Sequence, residues 1–328
     1  MDNIIISTRG LAKTFRVRQG MGGKPQDVQA VRGIDLTVRA GEVFGFLGPN
    51  GAGKSTTLRM LTTLMPPTAG EGWVAGHDLL KQPKRVRERI GYVSQAGGSD
   101  PNATGRENLL LQAQLTGASR ADADARTNAL LGALELESFA DRMVKTYSGG
   151  QRRRLDLALG MINQPLVLFL DEPTTGLDPQ SRARLWDEVR RLREGGTTVF
   201  LTTHYLEEAD VLADRLAIID DGRIVAEGTP QALKQQISGD VVTLRLASAN
   251  GAIERARTML MQQPFVRDTL VNADQLQLFV DRGDETLPAL LRLLDEAHMP
   301  VQAVALARPT LDDVFLRKTG RSLRDVNN

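Results

Sequence analysis

Val43-Phe44-Gly45-Phe46-Leu47-Gly48-Pro49-Asn50-Gly51-Ala52-Gly53-Lys54-Ser55 is the stretch on which the reading of this chain turns. Its first five residues suit a buried strand that runs straight into a glycine-rich loop. Thr56 to Leu64 then continues as a helix and stops before Pro66-Pro67. Strand, glycine-rich loop and helix together make an anion cradle. Glycines let successive backbone N–H groups point inward, and the N-terminus of the following helix closes the nest. Lys54 supplies a point charge for β- and γ-phosphates, and Ser55 a hydroxyl for Mg²⁺. Residues 48–55 fit the pattern G-x-x-x-x-G-K-[ST], which a chain of this composition yields by chance roughly once in a hundred.

Downstream, Leu166-Val167-Leu168-Phe169-Leu170 is a second apolar run, followed by Asp171-Glu172. A strand here delivers Asp171 toward a metal and sets Glu172 over a γ-phosphate, where it can polarise water. Alone, an acidic pair capping a strand before Pro173 is an ordinary structural feature; its weight comes from pairing with the phosphate loop. Tyr147-Ser148-Gly149-Gly150-Gln151 heads a further helix and offers a second anion-binding geometry. The plain alternative is a serine N-cap with a glycine turn. One nucleotide does not need two such loops on one subunit.

With these motifs in order, the chain resembles the ATP-binding subunits of ABC transporters, over roughly residues 1–235. The resemblance implies a P-loop NTPase α/β cassette with a helical subdomain at about 96–160, binding ATP and Mg²⁺. It implies an ATP-dependent homodimer in which Ser148, Gly149, Gly150 and Gln151 cover the nucleotide of the partner copy. Gly48, Asn50, Gly51, Gly53, Lys54, Ser55 and Thr56 then hold phosphates, and Ser55, Gln95 and Asp171 the metal. Glu172, His204 and Gln95 become the catalytic set. Gly176-Leu177-Asp178 resembles the D-loop, whose Asp178 lies at the dimer interface, and Gln95 sits in Gly91-Tyr92-Val93-Ser94-Gln95. Phe15 falls where the family places an aromatic that stacks on adenine; a core phenylalanine is the other reading. Tyr147 stands where leucine is commonest.

Working outward, residues 4–8 and 34–38 read as short strands, with Arg16–Gln29 a glycine-rich excursion between them. Helical patterns over Glu107–Leu115, Ala121–Leu134, Pro179–Arg193 and Glu207–Ala213 alternate with strands at Leu166–Leu170, Thr197–Thr202 and Leu216–Ile219. That alternation argues for an α/β core with a parallel sheet. Character changes near Ile237-Ser238-Gly239-Asp240. Residues 240–328 then read as strand, helix, strand, strand, helix, strand, a small α+β ferredoxin-like domain. Its middle strands would join at Asn272-Ala273-Asp274, and a short helix, Leu311–Lys318, ends it. The tail Pro309-Thr310-Leu311-Asp312-Asp313-Val314-Phe315-Leu316 is similar to that of the daunorubicin-resistance exporter ATPases, as is Arg152-Arg153-Arg154-Leu155-Asp156. That group usually has methionine where this chain has Gln151.

The chain has 328 residues, with 41 Lys and Arg against 40 Asp and Glu. Such balance, 11 basic and 12 acidic groups in residues 240–328, lacks the basic excess of a nucleic-acid binder, so none is expected as a partner. The absence of cysteine excludes disulfides, thiol catalysis and cysteine-ligated metal centres. No run approaches the ~18 apolar residues of a membrane span. The expectation is a subunit peripheral to the cytoplasmic face of the cell membrane, docked on a separate ABC permease. It would power export of a hydrophobic drug, antibiotic or lipid. The alternatives are a soluble ABC ATPase working on nucleic acid or ribosomes, and an importer ATPase.

Overall fold

The computed structural model describes residues 3–18, 25–236, 239–246, 252–272, 275–307 and 309–323. Two strands open the chain, β1 (Ile4–Arg18) and β2 (Pro25–Arg39), each of 15 residues. They pair antiparallel along their length, from Ile4 opposite Arg39 to Arg18 opposite Pro25. The expected excursion over Arg16–Gln29 is thereby corrected: Phe15 pairs with Val28 and Arg16 with Asp27. Only 19–24 of that segment lie outside the described residues. The reason is physical. Val17 and Val28 are 44% and 46% exposed, so this end of the ladder buries no apolar face. Backbone pairing holds it, and backbone pairing leaves no hydrophobic alternation to read.

The glycine-rich loop lies between β3 (Val43–Leu47) and α1 (Lys54–Leu61). After it come β4 (Ala69–Val74), β5 (His77–Asp78), α2 (Pro83–Arg87) and β6 (Ile90–Val93). Three helices follow, α3 (Gly105–Leu115), α4 (Arg120–Ala133) and α5 (Gly149–Met161). The unit ends with β7 (Val167–Asp171), α6 (Pro179–Glu194), β8 (Thr198–Thr203), α7 (Leu206–Leu212), β9 (Arg215–Asp220) and β10 (Arg223–Gly228).

Six strands form the central sheet, in the order β10-β9-β3-β8-β7-β6. All its pairings are parallel except that of β9 with β10. Parallel strands covered on both faces read as unbroken apolar runs, which is why β3 and β7 stood out in the sequence. On one face Phe44, Phe200 and Phe169 stand abreast, with ring centroids 5.7 and 5.6 Å apart. They pack with Ile6, Leu36 and Val38 of the antiparallel sheet β2-β1-β4-β5. On the other face Leu168, Leu170, Val199 and Leu201 pack with Leu155 and Leu157 of α5 and Leu185 and Val189 of α6.

Contacts divide the chain at Thr229–Pro230. In the second unit, α8 (Pro230–Gln236) precedes β11 (Asp240–Leu246), α9 (Ala252–Leu260), β12 (Val266–Asn272) and β13 (Gln275–Val280). Then come α10 (Gly283–Glu296), β14 (Val301–Ala307) and α11 (Leu311–Thr319). Its sheet order is β12-β13-β11-β14, antiparallel throughout. Each βαβ crossover therefore skips one strand, the ferredoxin-like topology expected from the sequence. Ala273 and Asp274 of the expected turn, and Ile237 and Ser238, lie outside the described residues. Val242, Leu244, Leu276 and Leu278 pack under Ala256, Leu260, Leu290 and Leu294 of the two long helices. Thr310 caps α11 with a capping box: its hydroxyl accepts from the Asp313 N–H, and Asp313 accepts from the Thr310 N–H at 2.7 Å.

Candidate active site

The site collects at the carboxyl ends of neighbouring parallel strands. Gly48 follows β3, Gln95 comes two residues beyond β6, Glu172 follows β7 and His204 follows β8. Register explains why they meet: Leu47 lies opposite Thr203, Thr202 opposite Asp171, and Leu170 opposite Val93. Loops at this edge of an open α/β sheet are where ligands bind.

Two glycines are required by close approach. A Cβ on Gly48 would stand 2.3 Å from the Ile219 carbonyl oxygen. One on Gly53, whose φ is +103°, would stand 2.5 Å from that of Ala30. The same contact brings the β1–β2 ladder against the loop, two positions from Val28, the partner of Phe15. Phe15 is half-buried, with the Lys13 ammonium 5.5 Å from its ring centroid. Asn50 and Gly51 lie in the loop, and Thr56 in the first turn of α1.

Lys54 is 4% exposed. Its Nζ donates to the carbonyls of Gly48 and Pro49 at 2.9 and 3.0 Å and pairs with Glu172 Oε1 at 3.3 Å. The Ser55 hydroxyl donates to Asp171 Oδ1 at 3.0 Å, and Thr202 donates to the same oxygen at 2.7 Å. Glu172 Oε2 accepts from Gln95 Nε2 at 3.2 Å and from Thr175 Oγ1 at 3.3 Å. His204 Nδ1 lies 3.2 Å from that oxygen, close enough to act on its charge but without the alignment of a hydrogen bond.

Burial by itself would raise the Glu172 carboxyl pKa. His204 and Lys54 outweigh it and bring the value down to about 2. Burial pulls Lys54 below the ordinary lysine value, against the attraction of Glu172 and Asp171. The two shifts weigh opposite effects on one pair. A carboxylate and two carbonyls accept from the ammonium. Glu172 has φ +46°, in the left-handed region. Its N–H holds that shape by donating to both the carbonyl and the hydroxyl of Thr202, each at 3.1 Å.

The Ser148–Gln151 loop and Asp178 make a second cluster. Ser148 caps α5: its hydroxyl accepts from the Gln151 N–H at 3.2 Å, and Gln151 Oε1 accepts from the Ser148 N–H at 2.9 Å. Asp178 caps α6, accepting from Ser181 N–H and Oγ at 2.9 and 2.6 Å. The two caps touch, since a Cβ on Gly150 would stand 2.6 Å from Ser181 Oγ. Gly149 lies against Leu177.

Four residues of the neighbourhood escaped the sequence reading as site residues: Thr175, Thr202, Arg153 and Asp156. Thr202 ended a run read only as strand. Arg153 and Asp156 stand in the stretch that resembles the daunorubicin-resistance group, and no local pattern names their partners.

Residues 31–175 match the family described as ABC transporter, and residues 228–319 match the C-terminal domain of the DrrA1-3-like ATP-binding proteins. The daunorubicin/doxorubicin resistance ATP-binding protein DrrA of Streptomyces peucetius is 44% identical, covering 98% of this chain and 94% of its own. The Nod factor export ATP-binding protein I of Burkholderia lata is 41% identical, covering 91% of this chain and 95% of its own. Among solved structures, a dimeric bacterial ABC transporter cassette superposes with TM-score 0.61 at 28% identity, over 68% of this chain and 98% of that one. Near-complete coverage by such relatives, together with the phosphate loop and acidic strand end described above, places the chain in the family of ABC transporter ATP-binding subunits.

Proposed function

We propose that this chain is the ATPase subunit of an exporter that moves a hydrophobic drug or a lipid-like molecule through a separate permease. The cassette would occupy about residues 1–235 and an accessory domain residues 240–328. The observation that carries the reading is the convergence of Lys54, Gln95 and His204 on one carboxylate, Glu172, beside the phosphate loop. A phosphoryl transfer of this kind needs positioning and charge stabilisation more than covalent chemistry.

Each residue then has a role. The loop N–H groups and Lys54 hold the β- and γ-phosphates. Glu172 orients the attacking water and accepts its proton, with Gln95 and His204 fixing the carboxylate. The 3.0 Å pair of Ser55 and Asp171 offers hard oxygen donors that suit Mg²⁺, which would neutralise charge on the phosphates. Among the described residues no group of three or more His, Cys, Asp or Glu is arranged to hold a metal ion by itself. A site of few protein ligands is what Mg²⁺ takes when phosphates complete its shell. Ser148, Gly149, Gly150, Gln151 and Asp178 serve the nucleotide of a second copy, and Phe15 stacks on adenine.

No described helix is long and apolar enough to cross a membrane, so the cargo path belongs to the permease. A groove of ≈430 Å³ beside Ser94–Gly98, edged by Leu111 and Leu115 at 57% and 72% exposed, supports its docking at the cytoplasmic face. The relatives named for drug resistance and for export favour outward transport over import or work on nucleic acid. The test is ATP hydrolysis by the chain reconstituted with its permease in vesicles. Stimulation by an anthracycline or by a lipo-oligosaccharide is expected. A rate that no hydrophobic cargo alters would overturn the export reading.

A further inference from the structure

Two charged residues inside α5 are buried and reach out of the helix to the site. Arg153 is 8% exposed and Asp156 5%. Spaced three apart, they lie on one face of the helix. Arg153 donates from Nε to the Pro173 carbonyl at 2.7 Å, from one terminal nitrogen to the Ser94 carbonyl at 2.7 Å, and from the other to the Asp171 carbonyl at 3.3 Å. Those carbonyls belong to the residues on either side of Glu172 and to the residue before Gln95. Asp156 Oδ1 accepts from the N–H groups of Gly98 and Ser99 at 3.0 and 3.2 Å. The loop that carries Gln95 is therefore gripped at both ends by one helix.

A buried guanidinium whose hydrogen bonds go to backbone carbonyls of two separate strand ends is costly to desolvate, and such a group fixes relative position. Glu172 makes that position matter. Its left-handed φ persists only where the surroundings over-determine it. Arg153 holds the carbonyl on each side of that residue, while Thr202 holds its N–H.

We infer that Arg153 and Asp156 are positioning residues that join the Ser148–Gly150 loop, at the head of α5, to the Gln95–Glu172 pair of the same subunit. The inference rests on the proposed reading of that loop as a contact to the nucleotide of a second copy. A helix is stiff, so a displacement of its first turn is carried one and two turns on to Arg153 and Asp156. Engagement of the loop by one nucleotide is then felt at the water-orienting groups of the other site. Coupling of this kind shows as cooperativity in hydrolysis, without a change in how a single site binds ATP.

Full-length Asp156→Ala, Asp156→Asn and Gly97→Ala test this. Gly97 has φ +82°, and its Cβ would stand 2.6 Å from Asp156 Oδ2, so Gly97→Ala strains the same grip from the loop side. Equilibrium binding of a fluorescent ATP analogue, kcat and the Hill coefficient for ATP are measured. Asp156→Ala and Gly97→Ala are expected to keep affinity within about twofold, lower kcat at least about tenfold and bring the Hill coefficient toward 1. Asp156→Asn keeps an acceptor for the two amides and is expected to recover kcat to within about threefold of the parent. Parental kcat and Hill coefficient in both disruptive variants would overturn the linkage. So would equal loss of affinity and kcat in all three, which marks a merely structural role. A parent chain that hydrolyses ATP unchanged by Glu172→Gln would instead sink the underlying reading of the site.

Discussion

The Lys54 ammonium and the Glu172 carboxylate form a buried pair, with Nζ 3.3 Å from Oε1. The two charges neutralise one another, and in the proposed reading a phosphate entering the loop must compete with Glu172 for the lysine. Substrate binding would loosen one of the two groups that depress the Glu172 pKa and so make it a stronger base where a base is needed. Lys54→Ala is expected to weaken ATP binding by at least about tenfold, the loss of one charge-assisted contact. Titration with a fluorescent nucleotide checks this, and unchanged affinity would count against the phosphate role.

Glu172 also makes stability depend on acid. Its folded pKa, about 2, lies below the ordinary 4.5. The ionised form is thus favoured by folding. Its contribution is complete above pH 4.5 and is lost as pH falls toward 2. The shift corresponds to a contribution on the order of 3 kcal/mol. Denaturant midpoints of the parent and of Glu172→Gln, compared from pH 7 to pH 3, should differ by a constant amount above about pH 5 and converge below it. A gap that ignores pH would show that the carboxylate is not stabilised as its neighbours require.

Hydrolysis should fall by about 10²- to 10⁴-fold in Glu172→Gln while ATP binding persists, because the amide still accepts from Lys54 but cannot take a proton. Copies should then accumulate as an ATP-dependent dimer on size-exclusion chromatography. Wild-type turnover in this variant would remove Glu172 from the chemistry.

The phosphate loop has two positions, Gly48 and Gly53, where no side chain fits. Gly48→Ala places a Cβ 2.3 Å from a backbone oxygen of β9, which cannot rotate away. The loop must shift, and ATP affinity should drop by more than about tenfold, since N–H groups aimed at an anion tolerate little displacement. Near-UV circular dichroism should stay close to the parent spectrum. Parental affinity would mean that the loop adapts.

In the second unit, Thr310→Ala removes the side-chain half of the capping box of α11. The expected cost is about 1 kcal/mol of stability in that unit. Differential scanning calorimetry should show it, with nucleotide affinity unchanged. A loss of affinity would instead tie α11 to the cassette.

Much of this protein is legible without coordinates, for a reason that differs from element to element. Val43–Leu47 and Leu166–Leu170 announce a covered parallel sheet because both their faces must be apolar. Gly48–Ser55 announces an anion site because few sequences let consecutive N–H groups converge. The β-α-β-β-α-β order of residues 240–307 was readable from period-2 and period-3.6 patterns, which depend only on neighbours in the chain. The ladder from Thr14 to Gln29 was not, since its hydrogen bonds run between backbones and none of its described side chains is fully buried. Nor was the grip of Arg153 and Asp156, whose partners are carbonyls and amides 18 to 59 residues away. Sequence by itself determined the ATP-binding family and the sheet that carries the loop, and it singled out Lys54, Asp171, Glu172 and His204 as candidates. Tertiary structure alone decided that Gln95, His204 and Lys54 converge on one carboxylate, and that a single helix holds the backbone around it. Those contacts follow from strand order and register in three dimensions, which local residue patterns do not encode.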